Sequence, residues 1–297
     1  MKSEIIKYFS KDIYEHFKDV DNDFFKIVEE IRIRAYRPII IKSLKKEIDL
    51  GKSFCPSIKD IKETIGLMSE FSLYSYEDEI KNGYITLPGG HRVGLSGKVV
   101  IENEAIKTIS HISGLNIRFS HEIKGCADRL IKYIKGSALI ISPPGCGKTT
   151  LLRDIIRQIS NLGETVGIVD ERSEIAASYL GIPQNDVGLR TDVLDSCRKS
   201  LGIMMILRSM SPDIIAVDEI GRKDDIFAIE EALNSGVKVI CTVHGSSVDD
   251  ILEKPYLSNL VKRKIFDTYI ILKYKDRPGE ISCIYDKDLK AVSINDY

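Results

Sequence analysis

Hydrophobic and polar positions alternate with different periods along the chain. The N-terminal part combines stretches with the spacing of helices and stretches with the alternation of strands. Residues 1–20 and 57–82 carry apolar side chains at helical spacing, which predicts helices in both stretches. Between them, the stretch EEIRIRAYRPIIIK is rich in β-branched residues and contains Pro38, which favours strands. Its apolar Ile31, Ile33 and Ala35 alternate with Arg32, Arg34 and Tyr36. This alternation predicts a strand with one basic face.

The stretch NGYITLPGGHRVGLSGKVVI predicts a hairpin that turns at Pro88, Gly89 and Gly90. A further strand ends in LNIRFS, and a short polar stretch at residues 121–125 is typical of a linker. We therefore expect residues 1–122 to form an N-terminal α+β domain.

From residue 126 onwards, short apolar runs alternate with helical patterns. The predicted strands are residues 137–142, 165–170, 213–218 and 237–243. Apolar strands separated by helices indicate an α/β fold with a mostly parallel sheet that is covered on both faces. Residues 126–297 are the expected second domain, and ligands of such sheets bind at the carboxyl ends of the strands.

Composition narrows the classes of function. The 297 residues include 43 Lys and Arg against 44 Asp and Glu, a net charge of -1, so no basic excess points to nucleic acid. The six cysteines contain no CxxC pair, which predicts a reduced cytoplasmic protein without a zinc site. No stretch has the pattern of a signal peptide or a membrane span, so we expect membrane association, if any, to be peripheral.

The stretch SPPGCGKTT, residues 142–150, has the ending of a phosphate-binding loop but begins with Ser142 instead of glycine. It follows a predicted strand and precedes a predicted helix, as phosphate binding at a helix N-terminus requires. Lys148 is expected to reach the β and γ phosphates of ATP, and Thr149 to bind Mg²⁺. The alternative is an ordinary glycine-rich turn before a helix, without a role in phosphate binding. The expected nucleotide-binding residues are Pro144, Gly145, Cys146, Gly147, Lys148, Thr149 and Thr150.

An apolar strand, DIIAVDEIGR, ends in two acids at residues 218 and 219. Asp218 is expected to accept a hydrogen bond from Thr149 or from a water on Mg²⁺, and Glu219 to polarise the attacking water. A solvated acid pair at the end of a strand is common on its own. Behind a phosphate loop in the same sheet, the pair favours hydrolysis of ATP over transfer to a second nucleotide.

Five ordered motifs together resemble the secretion-type ATPases, and most closely the stage III sporulation protein AA family of endospore-forming bacteria. They are SPPGCGKTTLLRD, VGIVDERSEIAA, GLRTDVLD, RSMSPDIIAVDEIGR and VICTVHGSS. The first-domain stretches EIRIRAYRPI and ISGLNIRFSHEIKG extend the resemblance to most of the chain. The chain lacks the four-cysteine zinc module of the larger secretion ATPases.

The resemblance implies an N-terminal α+β domain followed by a RecA-like P-loop ATPase domain, working as a homo-hexamer. It implies a mother-cell ATPase in the cytoplasm that drives assembly of, or transport through, the channel to the forespore. The expected membrane partner is the stage III sporulation protein AB.

Two further motifs of this family, an aspartate box and a histidine box, have counterparts at matching positions of this sequence. Glu171 in VDERSE is expected to orient water or metal, with Asp170 as a helper, and the alternative is a solvated charge run. Thr242 and His244 in TVHG are expected near the γ phosphate, on a strand between the loop strand and the acid strand. The alternative for His244 is a turn histidine without a catalytic part.

Arginines are expected to complete the site by stabilising charge on the transferred phosphoryl group. Arg92 and Arg118 match first-domain arginines that close over nucleotide in secretion ATPases. Further candidates in the second domain are Arg172, Arg190, Arg208 and Arg222. For each of them, an ordinary surface salt bridge is the competing interpretation.

Three functions are compatible with these residues. The first is a ring-forming ATPase that converts hydrolysis into domain movement. The second is an ATP-binding switch or scaffold with slow turnover, and the third is a nucleic-acid motor, against which the balanced charge argues.

Overall fold

A computed structural model of the chain describes residues 2–18, 20–43, 47–49, 54–273 and 279–293. The chain divides into two compact units, Met1–His121 and Glu122–Tyr297. The sequence places the change of organisation between residues 122 and 126.

The first unit is built on a six-stranded antiparallel sheet in the order β3-β2-β1-β6-β5-β4. Its strands are β1 (Val28–Arg34), β2 (Arg37–Ser43), β3 (Glu47–Asp49), β4 (Tyr84–Leu87), β5 (His91–Glu102) and β6 (Ala105–Arg118). Its helices are α1 (Lys2–Ile6), α2 (Lys11–Phe17), α3 (Asn22–Phe25), α4 (Ile58–Met68) and α5 (Glu77–Lys81), with a 3₁₀ turn at Leu73–Tyr76.

Both helical stretches predicted in this unit are interrupted. Ser10 separates α1 from α2, because its hydroxyl accepts a hydrogen bond from the Ile13 amide and caps α2. The second stretch ends at Met68, where Glu70 and Phe71 take left-handed φ angles of 50° and 58°. The Phe71 amide bonds the Gly66 carbonyl at 2.7 Å, which terminates α4.

The predicted strand with a basic face ends sooner than its alternation suggests. Ile31 and Ile33 are buried and Arg32 is exposed, as the pattern requires. However, Tyr36 takes a φ of 59° and starts the turn into β2, so the strand stops at Arg34. Alternation alone does not reveal a left-handed turn residue.

The second unit contains a seven-stranded sheet in the order β13-β12-β7-β11-β10-β8-β9. Its strands are β7 (Ala138–Ser142), β8 (Val166–Asp170), β9 (Thr191–Asp195), β10 (Ile214–Val217), β11 (Lys238–His244), β12 (Thr268–Leu272) and β13 (Ile281–Asp286). Its helices are α6 (Lys148–Asn161), α7 (Lys199–Ser209), α8 (Lys223–Asn234), α9 (Val248–Leu252) and α10 (Leu257–Lys262), with a 3₁₀ turn at Ile131–Tyr133.

All neighbouring strands in this sheet are parallel except β12 and β13, which form the terminal hairpin. The central strands are buried along their whole length, as in a sheet covered on both faces. Gly167 and Gly202 let α7 approach β8, since a Cβ on Gly202 would lie 2.4 Å from Val169. This close packing places the start of α7 beside the carboxyl end of β8.

Candidate functional site

The loop after β7 presents backbone amides at the N-terminus of α6. Gly145 and Gly147 take φ angles of 75° and 84°, a conformation that glycine adopts without strain. Within the described residues, no acceptor is bonded to the amides of residues 145–147. Cys146 packs its side chain into the core, so it contributes to the loop through its backbone. Ser142 is the buried last residue of β7, and its hydroxyl bonds the Pro143 carbonyl at 2.8 Å.

The loop and the acid strand meet through two side-chain contacts. The Thr149 hydroxyl donates to Asp218 Oδ2 at 2.5 Å, and Lys148 Nζ lies 2.5 Å from Glu219 Oε1. Lys148 is 8% exposed, so this ion pair is largely shielded from water. A hydroxyl beside a carboxylate is the oxygen pair that holds Mg²⁺ in phosphate sites, where the remaining ligands are phosphate oxygens and waters. The two residues therefore fit a magnesium ion.

Glu219 is the centre of the charged cluster. Besides Lys148, its carboxylate contacts Arg172 Nη1 at 2.9 Å and His244 Nε2 at 3.0 Å. Burial alone would favour the protonated acid, but the hydrogen bond and charge of Lys148, helped by His244 and Arg172, hold the pKa of Glu219 below its ordinary value. Glu219 is thus a carboxylate near neutral pH. Its φ of 53° is left-handed, an unusual conformation for a residue with a side chain.

Strand β11 lies between β7 and β10, so its carboxyl end is next to both the loop and the acids. Thr242 is fully buried; its hydroxyl donates to Asp218 Oδ1 and accepts from the Glu219 amide at 2.9 Å. Two residues further, the half-exposed His244 reaches Glu219. The expected order of the three strands is therefore confirmed, and Thr242 fixes the backbone of the acid pair.

Asp170 and Glu171 end β8 in different environments. Asp170 is buried, and its carboxylate accepts from the amides of Glu174, Ile175 and Ala176 at 2.9 Å each. Burial raises the pKa of Asp170 to about 6, although these hydrogen bonds oppose the shift. Asp170 thus holds the loop after β8 through these three amides, and it also lines the cavity beside Asp218 and Glu219.

Glu171 contacts Lys199 Nζ and lies 3.7 Å from Arg222 Nη1. Burial opposes ionisation, yet Lys199 and the nearby arginines hold the pKa of Glu171 low. A cavity of about 10 Å³, close to the volume that one water needs, is lined by Glu171, Asp218 and Glu219 together with Lys199. Glu171 is therefore close to the acid pair, and a water fits between them.

The arginine candidates fall into three places. Arg172 and Arg222 join the cluster through Glu219 and Glu171. Arg190 directly precedes β9 and Arg208 lies in the last turn of α7, which places both at the opposite edge of the parallel sheet. Both side chains are exposed. Arg92 and Arg118 belong to the first unit.

In the first unit, Arg92 on β5 and Arg118 on β6 are direct cross-strand partners, so both side chains emerge from the same face of the antiparallel sheet. The Arg92 guanidinium lies 4.2 Å from the centroid of the Tyr84 ring.

Sequence reasoning missed Lys199 and Arg153. Lys199 is 8% exposed in the first turn of α7, a position where a cation is unfavourable to the helix dipole, and it pairs with Glu171. Arg153 is buried in α6 and donates to the carbonyls of Glu174 and Ile175. The surrounding sequences, RKS and LLRD, do not reveal that these basic residues are buried, because nothing local distinguishes a buried cation from a solvated one.

The described residues also bear on two other classes of site, metal clusters and membrane spans. No group of three or more His, Cys, Asp or Glu side chains there has an arrangement that could hold a metal ion by itself. Nor does that part of the chain contain a helix with the length and apolar character needed to cross a bilayer.

Solved structures of an ATPase and of a pilus retraction motor share this fold. The ATPase DotB of Legionella pneumophila superposes with a TM-score of 0.58 at 17% identity, over 88% of this chain and 77% of that one. The pilus retraction motor PilT with bound ADP gives 0.57 at 17% identity, over 82% and 73%. The expected α/β fold, RecA-like with a preceding N-terminal domain, is confirmed.

Comparison of sequences is more specific. The Stage III sporulation protein AA of Bacillus subtilis (strain 168) is 43% identical over 276 residues, which cover 90% of this chain and 89% of that protein. The model of the family "Sporulation stage III, protein AA" matches residues 1–292. The chain therefore belongs to the family of sporulation stage III protein AA.

Proposed function

We propose that this chain hydrolyses ATP in the presence of Mg²⁺ and works as a ring-forming motor in sporulation. The observation that carries the proposal is the convergence of the loop residues Lys148 and Thr149 with the acids Asp218 and Glu219 at one edge of the sheet. Membership of the family and the likeness in fold to DotB and PilT support it.

Each side chain has a defined part in this proposal. The loop amides and Lys148 bind the phosphates, and Thr149 and Asp218 hold the Mg²⁺ ion, which neutralises phosphate charge when it is bound. Glu219 orients and deprotonates the attacking water. His244 contacts Glu219, so it is placed to sense whether the γ phosphate is present.

The contact between Lys148 and Glu219 gives the order of events. While Glu219 holds the Lys148 ammonium group at 2.5 Å, one of its three N–H donors is not available to phosphate oxygens. Phosphate binding therefore competes with Glu219 for Lys148 and lets Glu219 Oε1 accept a hydrogen bond from a water molecule, while Arg172 and His244 keep their contacts with the carboxylate. Arg172 and Glu171 flank this water, and Lys199 keeps Glu171 ionised.

The proposal includes an assembly. Arg92 and Arg118 close the site, from the same chain or from a neighbouring copy, and the working form is a homo-hexamer. The motor acts in the mother-cell cytoplasm, peripherally at the membrane, with the stage III sporulation protein AB as its partner. The absence of a net basic charge is consistent with a protein-handling role instead of nucleic-acid translocation.

A single substitution separates a motor from an ATP-binding scaffold. Glu219→Gln keeps the size of the side chain but removes the base, so a motor should retain ATP and fail to support sporulation, whereas a scaffold should still work. Glu253→Gln is the matched control, since Glu253 is exposed and outside the site. Normal sporulation with Glu219→Gln would contradict the motor.

A further inference from the structure

The first unit carries a basic groove that the ATPase proposal does not use. Strand β1 turns Ile31 and Ile33 towards the core and therefore turns Arg32 and Arg34 to the opposite face. The strand register extends this face across the sheet: Arg32 lies opposite Asn116, Arg34 lies opposite Gly114, and both β6 residues have partners on β5. The groove is lined by Arg32, Arg34, Gly94, Ser96, Gly114 and Asn116, with a volume of about 310 Å³.

The floor of the groove is open because glycine stands where a strand usually carries a side chain. Gly94 has no left-handed φ angle, and a Cβ there would meet its nearest atom, Asn116 Cβ, at 3.6 Å, an ordinary contact. The fold therefore does not require glycine at this position, and glycine weakens a strand. A bare backbone that the fold does not require is typical of a place where a ligand or another chain approaches closely.

Among the described residues, the Arg34 guanidinium and the Asn116 Oδ1 atom in the groove lack a partner. Arg32 forms an ion pair with Glu30, but Arg34 has no ion pair among the described residues. The Asn116 side chain donates to Glu30, while its Oδ1 is shielded from water and accepts no hydrogen bond within the described part of the chain. A shielded acceptor without a donor costs about 1–3 kcal/mol, and a ligand recovers that energy when it displaces the atoms that cover Oδ1 and supplies an N–H group.

We propose that this groove binds an extended acidic segment of a protein partner. Such a segment offers a carboxylate to Arg34 and a backbone N–H group to Asn116 Oδ1, and its main chain can lie over Gly94. Tyr36, two residues beyond Arg34, is 71% exposed and adds the type of aromatic contact that is common in protein interfaces.

Other ligands satisfy fewer of these groups. A free phosphate or carboxylate pairs with Arg34 but gives no donor to Asn116 Oδ1. A flat lipid surface reaches exposed arginines but not the glycine floor of the groove. The groove lies entirely within the first unit, whereas the loop that is proposed to bind ATP belongs to the second.

The experiment measures binding of a fluorescein-labelled oligoglutamate to the purified full chain by fluorescence anisotropy at low salt. A peptide of about ten residues, at roughly 3.3 Å per residue, is long enough to cross the groove. We expect saturable binding that Arg34→Gln weakens about tenfold or more, the order found when one partner of a hydrogen-bonded charge pair is lost. Gly94→Val fills the floor with a residue that suits strands, and it should weaken binding as much.

Two control variants make the result specific. Arg190→Gln removes the same charge from an exposed position in the second unit and should bind the peptide like the wild type. Gly94→Ala, a smaller filler, replaces Gly94→Val if circular dichroism shows that the valine variant is misfolded.

The proposal is overturned if the wild type shows no saturable binding, or if Arg34→Gln and Arg190→Gln weaken it equally. It also fails if Gly94→Val and Gly94→Ala both leave binding of the peptide unchanged. Phosphatidylglycerol vesicles provide a last comparison, as competitors of the labelled peptide. If they compete in Gly94→Val but not in Arg34→Gln, the arginine binds a membrane surface, and the peptide proposal is overturned.

Discussion

Replacing Thr242 with valine tests how the acid pair is held. Valine has nearly the shape of threonine but no hydroxyl, so the change removes the hydrogen bond to Asp218 and leaves the Glu219 amide without its acceptor. Thr242 is fully buried, and water cannot replace either bond without rearrangement.

The magnitude follows from these two bonds. A hydrogen bond to a charged group contributes about 1.5–3 kcal/mol, and an unpaired buried amide costs about 1–3 kcal/mol. The added methyl group returns about 0.8 kcal/mol through burial. Thr242→Val should therefore lower the free energy of unfolding by about 2–5 kcal/mol. The same change frees the left-handed backbone at Glu219, so hydrolysis of ATP should fall as well.

The assay is urea unfolding followed by circular dichroism, because the chain contains no tryptophan. Thr242→Ser is the matched control, since it keeps the hydroxyl and loses one methyl group, at a cost of about 1 kcal/mol. If Thr242→Val and Thr242→Ser unfold at the same urea concentration, the hydroxyl does not hold the acid pair, and the reasoning is refuted.

Three further predictions concern the loop, the first unit and pH. Lys148→Ala should abolish tight ATP binding in equilibrium dialysis. Unchanged affinity would show that residues 142–150 are not the phosphate-binding loop. Arg118→Ala should leave ATP binding intact and slow hydrolysis about 100-fold, the usual cost of losing one charge-stabilising donor; an unchanged rate would exclude closure by that arginine. The raised pKa of Asp170, about 6 in the folded state against about 3.9 unfolded, means that the unfolded chain loses this proton first as pH rises. Wild-type stability should therefore lose about 2 kcal/mol from this group between pH 4 and 6, and the stability of Asp170→Asn relative to the wild type should rise by that amount over the same range. A constant difference across these pH values would show that Asp170 does not titrate there.

Much of the second unit could be predicted from sequence because its signals are local. The apolar strands, the glycines of the loop and the acids after β10 each lie within a few residues of one another. The place of Thr242 and His244 next to the acids came from the resemblance to the family. It agrees with β11 lying between β7 and β10.

Other features depend on contacts between distant residues and could not be predicted. The pairing of Lys199 with Glu171 requires α7 to pack closely on β8, which two glycines far apart in sequence permit. The end of the predicted helix at Met68 depends on the backbone conformation of Glu70 and Phe71, two residues without turn character. The alternation of Arg32 and Arg34 predicted a basic face but not the glycine floor supplied by β5 and β6.

The central claim is that Glu219 serves as the base for hydrolysis of ATP bound at Lys148. Its most direct test is a single-turnover measurement, with protein in excess over radiolabelled ATP and with Mg²⁺, which compares the wild type with Glu219→Gln. We predict that both bind ATP and that Glu219→Gln forms phosphate about 100-fold more slowly or worse, the usual effect of removing a general base. Equal rates of phosphate formation, or a wild type that binds ATP without cleaving it, would contradict this account.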